Sequence, residues 1–247
     1  TFLAHDGFLI ELDSVCLLFD WWKGALPPLP DKPLLVFVSH RHADHFQPEI
    51  FRLADKKSDL QFLLGSDLRL TPRNLEKWDL TTETAAKCRR CGKREKFAAD
   101  FGVTVETLPS TDEGVAWFVT AEGKFIFHAG DLNWWHWEGE DPVWNRNMEA
   151  DFRRYAEPLR GRKIDLAMLP LDPRLGEDGF RGPRYFLELA DIRRHMRAAL
   201  AKSRQILQKI ISSPSYSKVL QDNIITQRDG RFVVPVKADQ KGNLPGL

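Results

Sequence analysis

Hydrophobic and polar positions along the chain fall into strand-like and helix-like rhythms. Near the start, "GFLIEL" and "SVCLLFD" are short, apolar and partly β-branched. They predict two strands, and "GALPPLPDKP" then supplies Pro/Gly punctuation. "LLVFVS" (34–39) is a continuous apolar run of strand length and predicts a strand buried on both faces. "PEIFRLADK" predicts a short helix and "QFLLGS" another strand, whereas residues 71–100 are polar and predict a surface excursion. Strand character returns in "GVTVETL", "GVAWFVTA" and "GKFIFHAGD", separated by Gly-containing turns. Residues 145–160 have helical spacing, and "IDLAMLPLD" reads as a further buried strand. This order of strands and intervening helices argues for a mixed α/β domain.

The strongest helical signature is "DIRRHMRAALAKSRQILQKIIS" (191–212). Ile192, Met196, Ala199, Leu200, Ile206, Leu207, Ile210 and Ile211 recur there at three- and four-residue steps, with bases between them. The remaining segment predicts a hairpin: "NIITQ", an "RDG" turn and "RFVVPVK".

Composition narrows the class. With 247 residues, 43% hydrophobic and 29% charged, the chain can build one large domain or two small ones and does not resemble a disordered segment. It lacks a run of about 18 apolar residues, so no membrane span is expected. No secretory leader is visible, and the start at Thr1 leaves room for preceding native residues. Three cysteines (Cys16, Cys88, Cys91) do not make a disulfide framework, so a reducing, cytoplasmic compartment is expected. Oligomeric state is left open. The net charge of +1 hides a switch: residues 1–192 carry −7 and residues 193–247 carry +8, which suggests two segments with different partners.

The candidate chemistry begins at the exit of the central apolar run. "VFVSHRHADHF" places His40, His42, Asp44 and His45 on one loop in the pattern H-x-H-x-D-H. Imidazole and carboxylate donors packed this closely can serve two adjacent divalent ions: His40 and His42 one, Asp44 and His45 the other. Such donors suit Zn²⁺, with Mn²⁺ or Fe²⁺ as alternatives. The bland reading is a solvated histidine-rich loop, and the strand context argues against it. "CRRCG" holds a single CxxC pair, which reads as two solvent-exposed thiols in a variable loop, with incidental metal binding behind.

The histidine pattern resembles the metallo-β-lactamase superfamily, and the likeness extends beyond one motif. "LLFDWW" offers Asp20 where that family carries an early orienting Asp, and "FIFHAGDLNWW" offers Asp131 at the place of the metal-bridging Asp. "AHDGFLIE", "STDEGVAWFV", "HAGDLNWWHWEGE" and "PLDPRL" are similar to the lactonase-like branch, which includes ascorbate-phosphate lactonase. The resemblance covers about residues 2–192 and implies an αβ/βα sandwich, truncated at its C-terminal end and followed by a basic helix and a hairpin-like segment.

It also implies metal-assisted hydrolysis of a small-molecule ester, lactone, thioester or phosphoester. Two zinc ions, or one, would lower the pKa of water and stabilise the developing oxyanion. His40 and His42 would bind metal one, Asp44 and His45 metal two, and Asp131 would bridge; Asp44 and Asp131 are the candidate catalytic carboxylates. Asp20 would orient ligands from behind. Two departures stand out. The family's further histidine ligand to metal one falls in "LPSTDEG" here, making Asp112 the nearest substitute, ahead of Ser110 and Glu113. Its last histidine, on a strand after "PLDPRL", is missing, and the later His195 reads as a helix-surface residue. His128 is expected behind the ligands or in the pocket wall. His136 with Trp134, Trp135 and Trp137 reads either as pocket wall or as aromatic core, and His5 as a pocket residue or a strand cap.

Residues 193–247 resemble something else. "YSKVLQDNIITQRDGRFVVPVKAD" and the following "GNLPG" are similar to the core of the MutS-homologous endonuclease family, ahead of its ATPase. No G-x-x-x-x-G-K-[ST] phosphate loop is present, so the likeness implies ancestry rather than that activity. A join near "ADIRR", between a hydrolase domain (1–192) and this fragment (193–247), accounts for the charge switch and the lost histidine. The alternative function is a non-enzymatic nucleic-acid-binding protein acting through the basic segment, or a fusion without function.

Overall fold

The computed structural model describes residues 1–192, together with the backbone of residues 195–199, 226–228 and 231–233. Its first sheet runs β1 (Phe2–Ala4), β2 (Gly7–Glu11), β3 (Cys16–Phe19), β4 (Leu34–Val38), β5 (Leu60–Gly65) and β6 (Cys88–Cys91), side by side in that order. Pairing is antiparallel from β1 to β3 and parallel from β3 to β6. A 3₁₀ helix (Pro48–Asp55) follows β4, and α1 (Pro72–Lys77) and α2 (Thr82–Ala86) follow β5. Each of these two α-helices starts behind a threonine, Thr71 or Thr81, whose hydroxyl accepts from a first-turn N–H.

The second sheet begins as an antiparallel meander of β7 (Lys96–Ala98), β8 (Thr104–Pro109), β9 (Val115–Ala121) and β10 (Lys124–His128). Helix α3 (Pro142–Ala156) leads to β11 (Lys163–Ile164) and β12 (Leu166–Leu171), and β12 pairs parallel with β10. Helix α4 (Arg181–Leu189) then leads to β13 (Asp191–Ile192), which pairs with β11, and to β14 (His195–Ala199), which pairs parallel with β12. Farther on, β15 (Thr226–Arg228) and β16 (Arg231–Val233) pair antiparallel where the hairpin is expected.

Strand alternation divides the apolar residues among layers. In β3 and β4, Leu17, Phe19, Leu35 and Phe37 face the core between the sheets, where they meet Val115, Trp117 and Val119 of β9. The intervening Cys16, Leu18, Leu34, Val36 and Val38 face outward onto Ile50, Phe51 and Leu53 of the 3₁₀ helix. On the far side, Ala116, Phe118, Phe127 and Leu169 pack against Phe152 of α3 and Phe186 of α4. The result is the expected αβ/βα sandwich, and it explains why "LLVFVS" is apolar at every position: both faces of β4 are covered.

One expectation is overturned. The helix over 191–212 is not formed at its start, where residues 191–192 and 195–199 are strands; positions 200–212 lie outside the described residues. Three apolar residues at helical steps are a weak prior, and the unpaired edge of the buried strand β12 offers a row of N–H and C=O groups that residues 195–199 satisfy. The polar stretch 71–100 lies at the surface as expected and carries regular structure. It contains α1, α2 and the edge strands β6 and β7, and its Lys and Arg content suits edges that must not pair further. No helix among the described residues is long and apolar enough to cross a membrane.

Candidate metal centre

The site forms at one end of the sandwich, where β3, β4, β10 and β12 end and the β1–β2 and β8–β9 turns begin. Its base is Asp20, which follows β3 and is fully buried. Asp20 Oδ1 accepts from Ser39 N at 2.7 Å, while Oδ2 accepts from Ser39 Oγ at 2.5 Å and from His45 Nδ1 at 2.8 Å. Because the Ser39 hydroxyl proton goes to Asp20, its oxygen accepts from His40 Nδ1 at 2.9 Å. One carboxylate thus fixes two imidazoles, one directly and one through a serine, and leaves Nε2 of both His40 and His45 facing Asp131.

Close backbone packing holds this turn. Gly114 (φ +70°) lies against Ser39 O and His40 Cβ, leaving no room for a side chain, and a Cβ at Gly130 (φ +50°) would fall 2.9 Å from Ser39 Cβ. These two glycines bring the loops carrying Asp112 and Asp131 onto the histidine loop. Thr111 Oγ1 stitches the same loops together, donating to Asn133 O at 2.7 Å and accepting from Asn133 N at 3.0 Å. Arg41 clamps Glu113 through Nε and Nη2 at 2.7 and 2.8 Å.

The donors converge in overlapping sets. One ligand atom each from His40, His42, Asp112 and Asp131 lies within 4.8 Å of the others, as do those of His5, Asp44 and His45, and those of Asp6, His45 and Asp131. Individual separations are 3.6 Å for His40 Nε2 to Asp131 Oδ2, 3.8 Å for His42 Nδ1 to Asp112 Oδ2, and 3.5 Å for His45 Nε2 to Asp131 Oδ1. Two donors on one tetrahedral zinc ion sit roughly 3.4 Å apart, given metal–ligand bonds of about 2.0–2.2 Å. Three buried atoms in these sets, His5 Nε2, Asp6 Oδ2 and Asp131 Oδ1, have no hydrogen-bond partner. Buried polar atoms rarely go unpaired, so the donor chemistry fits divalent cations.

Burial and neighbouring charges set the electrostatics. Burial, with the His45 charge, brings His40 down to about 3. Burial opposes charge on His45, but the carboxylates of Asp131, Asp20 and Asp6 hold it up to about 10. Burial raises Asp131, and raises Asp6 well above the usual carboxylate range. Burial also opposes ionisation of Asp20, yet the His45 hydrogen bond and the nearby imidazoles bring it down to about 2. The half-exposed Asp44 is held below the carboxylate range, chiefly by His5.

The remaining expected residues separate. His128 is wholly buried beneath the site: it stacks on Phe19, accepts from Gly130 N and so donates through Nε2 to Asp6 O, and it does not line a pocket wall. Trp134 belongs to the core with Phe152. Trp135 donates to Asp131 O and stacks parallel with Trp137, and His136 Nδ1 lies 2.7 Å from Asp178 Oδ2. Cys88 and Cys91 are not exposed loop thiols: both lie in β6, Cys91 in the inter-sheet core and Cys88 packed against the outer layer. An odd spacing on a strand sends the two side chains to opposite faces, so they cannot chelate one ion.

Several site residues were missed by sequence reasoning. Asp6, between His5 and Gly7 in a tight turn, carried a signal in "HDG". Ser39 and Thr111 act through hydroxyls that no spacing marks. Arg174, beyond β12, wraps the buried Asp172 through Nε and Nη2 and lies over Trp137. Its guanidinium pKa is raised first by the Asp172 hydrogen bond and further by the charges of Asp172, Asp131 and Asp44.

No family model matches the chain. Among curated proteins, a 60-residue stretch is 52% identical to the endonuclease MutS2 of Pelotomaculum thermopropionicum, covering 24% of this chain and 8% of that protein. A 73-residue stretch is 44% identical to the endonuclease MutS2 of Synechocystis, covering 30% and 9%. The chain therefore spans less than a tenth of the length of these relatives. Among solved structures it is similar to an isothiocyanate hydrolase from Delia radicum gut bacteria (TM-score 0.52, 12% identity, 95% of this chain and 98% of that one). It is also similar to a possible metal-dependent hydrolase from Veillonella parvula (0.53, 12%, 95% and 98%) and to CmlA, a diiron β-hydroxylase from Streptomyces venezuelae (0.56, 11%, 90% and 50%). At these identities the likeness is one of fold: an α/β sandwich shared with a possible metal-dependent hydrolase and an isothiocyanate hydrolase.

Proposed function

We propose that this chain is a metal-dependent hydrolase of the lactonase-like branch, with a binuclear, zinc-type centre acting on a small ester, lactone or phosphoester. The observation that carries this reading is the pair of donor sets joined through Asp131 and His45, with buried atoms left unpaired by any protein partner. His40, His42, Asp112 and Asp131 would hold one ion, and Asp44, His45 and Asp131 the other. Bound there, divalent ions supply Lewis acidity, making water acidic enough to attack near neutral pH and polarising the substrate oxygen.

The protein's own share is orientation. Asp20 keeps His40 and His45 in the tautomers that turn Nε2 to the site. Trp135 and Trp137 give an apolar wall, and Arg174 gives a fixed cation suited to an acidic group on the substrate.

The test is metal content of the dialysed chain, followed by a hydrolysis screen of lactones, carboxylic esters and phosphodiesters. About two ions per chain, falling in both His42→Ala and Asp131→Ala, is the expected result. Metal-free wild-type protein, or content unchanged by both substitutions, overturns the reading.

A second reading attaches to the likeness to MutS2 and the net +8 of residues 193–247: nucleic-acid binding by a separate basic segment joined to the hydrolase domain of residues 1–192. Its signature would be DNA or RNA affinity that falls steeply with salt and disappears when that segment is removed.

A further inference from the structure

The sequence resemblance implies a last histidine ligand to the second ion from a strand after β12. That strand exists here as β14, and its register is explicit: Ala199 lies opposite Leu171 at the site end, whereas His195 lies opposite Ala167 at the far end. Four residues of strand put His195 on the order of 13 Å back along the chain from the site end. A replacement has to come from elsewhere.

We infer that His5, presented by the turn between β1 and β2, is a further protein ligand of the second ion, beside Asp44, His45 and the shared Asp131. This rests on the metal-centre reading proposed above. His5 Nε2 is 3.2 Å from Asp44 Oδ2, an ion-pair contact that holds Asp44 low without the alignment of a well-formed hydrogen bond. The His5 and His45 rings meet edge to face, with centroids 5.2 Å apart. The next residue, Asp6, is 1% exposed, and its unpartnered Oδ2 lies 3.6 Å from His45 Nδ1.

The backbone is shaped for this presentation. His5 has φ +55°, a left-handed conformation that costs energy at any residue with a side chain and that persists where surroundings impose it. Here the β1–β2 pairing Ala4↔Gly7 closes the turn, and a Cβ at Gly7 would lie 3.0 Å from Ala4 O. A turn that merely joined two strands would not need an imidazole at its strained position, aimed at two metal-loop side chains.

The experiment uses the full chain with two substitutions. His5→Asn keeps a residue that tolerates the left-handed backbone and removes the imidazole. His5→Cys offers a thiolate in its place. Metal content of His5→Asn should fall from about two ions to about one, with the melting temperature of the metal-free protein unchanged. His5→Cys loaded with cobalt(II) should show a thiolate-to-cobalt charge-transfer band, which cobalt-loaded wild type lacks despite its three native cysteines. Two ions of undiminished affinity in His5→Asn would overturn the inference while leaving the metal centre standing. Loss of an ion without the cobalt band in His5→Cys would also overturn it, making His5 a positioning residue for Asp44. A wild-type chain that binds no metal would remove the metal centre itself, and this ligand with it.

Discussion

"HRHADH" and "CRRC" both look like chelating motifs when read as letters, and the structure treats them in opposite ways. The first begins where β4 ends. Freed from strand alternation and pressed by Gly114 and Gly130, its backbone turns so that His40, His42 and His45 aim toward one small volume. The second stays inside β6, where alternation sends Cys88 and Cys91 into different layers. Close spacing brings donors together only where the chain leaves the strand period and something else holds them in place.

The sharpest way to break this contrast is to remove the pressure on the turn. Gly114→Ala must place a methyl against Ser39 O and His40 Cβ at a left-handed residue. We expect a loss on the order of 3 kcal/mol or more, from backbone strain plus overpacking, read as a lower midpoint in urea. A variant as stable as wild type would mean that the turn does not depend on this contact. Next in size is Asp20→Asn, which keeps the shape but weakens acceptance from Ser39 and His45. Metal affinity should drop roughly 10- to 100-fold, the usual effect of losing a hydrogen-bonding partner behind a ligand. Equal affinity in a competition titration would show that His40 and His45 hold their orientation without it.

Much of this was legible in the sequence, and the boundary has physical causes. "LLVFVS" and "HRHADH" could be read because a strand covered on both faces is apolar throughout and the candidate donors are contiguous. Asp112 could be placed beside His40, His42 and Asp131 because its loop was located even though its residue type departs from the resemblance. β14 could not be read, since Ile192, Met196 and Ala199 fit a helical step and the edge of β12 that captures them is a tertiary feature. β6 and β7 were hidden because edge strands carry charge where inner strands carry valine and leucine. Asp6 and Ser39 act through a turn and a hydroxyl relay, which leave no periodic trace.

The smaller predictions concern the cysteines, where the contrast is easiest to sharpen. Cys91 is fully buried between the sheets, so Cys91→Ala should cost about 1 kcal/mol by leaving a small cavity, with metal content unchanged. Smaller still is the reactivity of the native thiols. Burial pushes Cys88 and Cys91 each up to about 12. The thiolate is the nucleophile, so near pH 8 only about one part in 10⁴ of either is reactive. Alkylation of the folded chain should therefore be slow and should rise about tenfold per pH unit without levelling off below pH 11. Denatured protein should instead react fast, with the rate levelling off near the ordinary thiol pKa. Rapid labelling of native Cys88 and Cys91 at pH 7 would mean that β6 opens readily and that "CRRC" is reachable by solvent. It would then be closer in behaviour to the histidine loop than its place inside a strand allows.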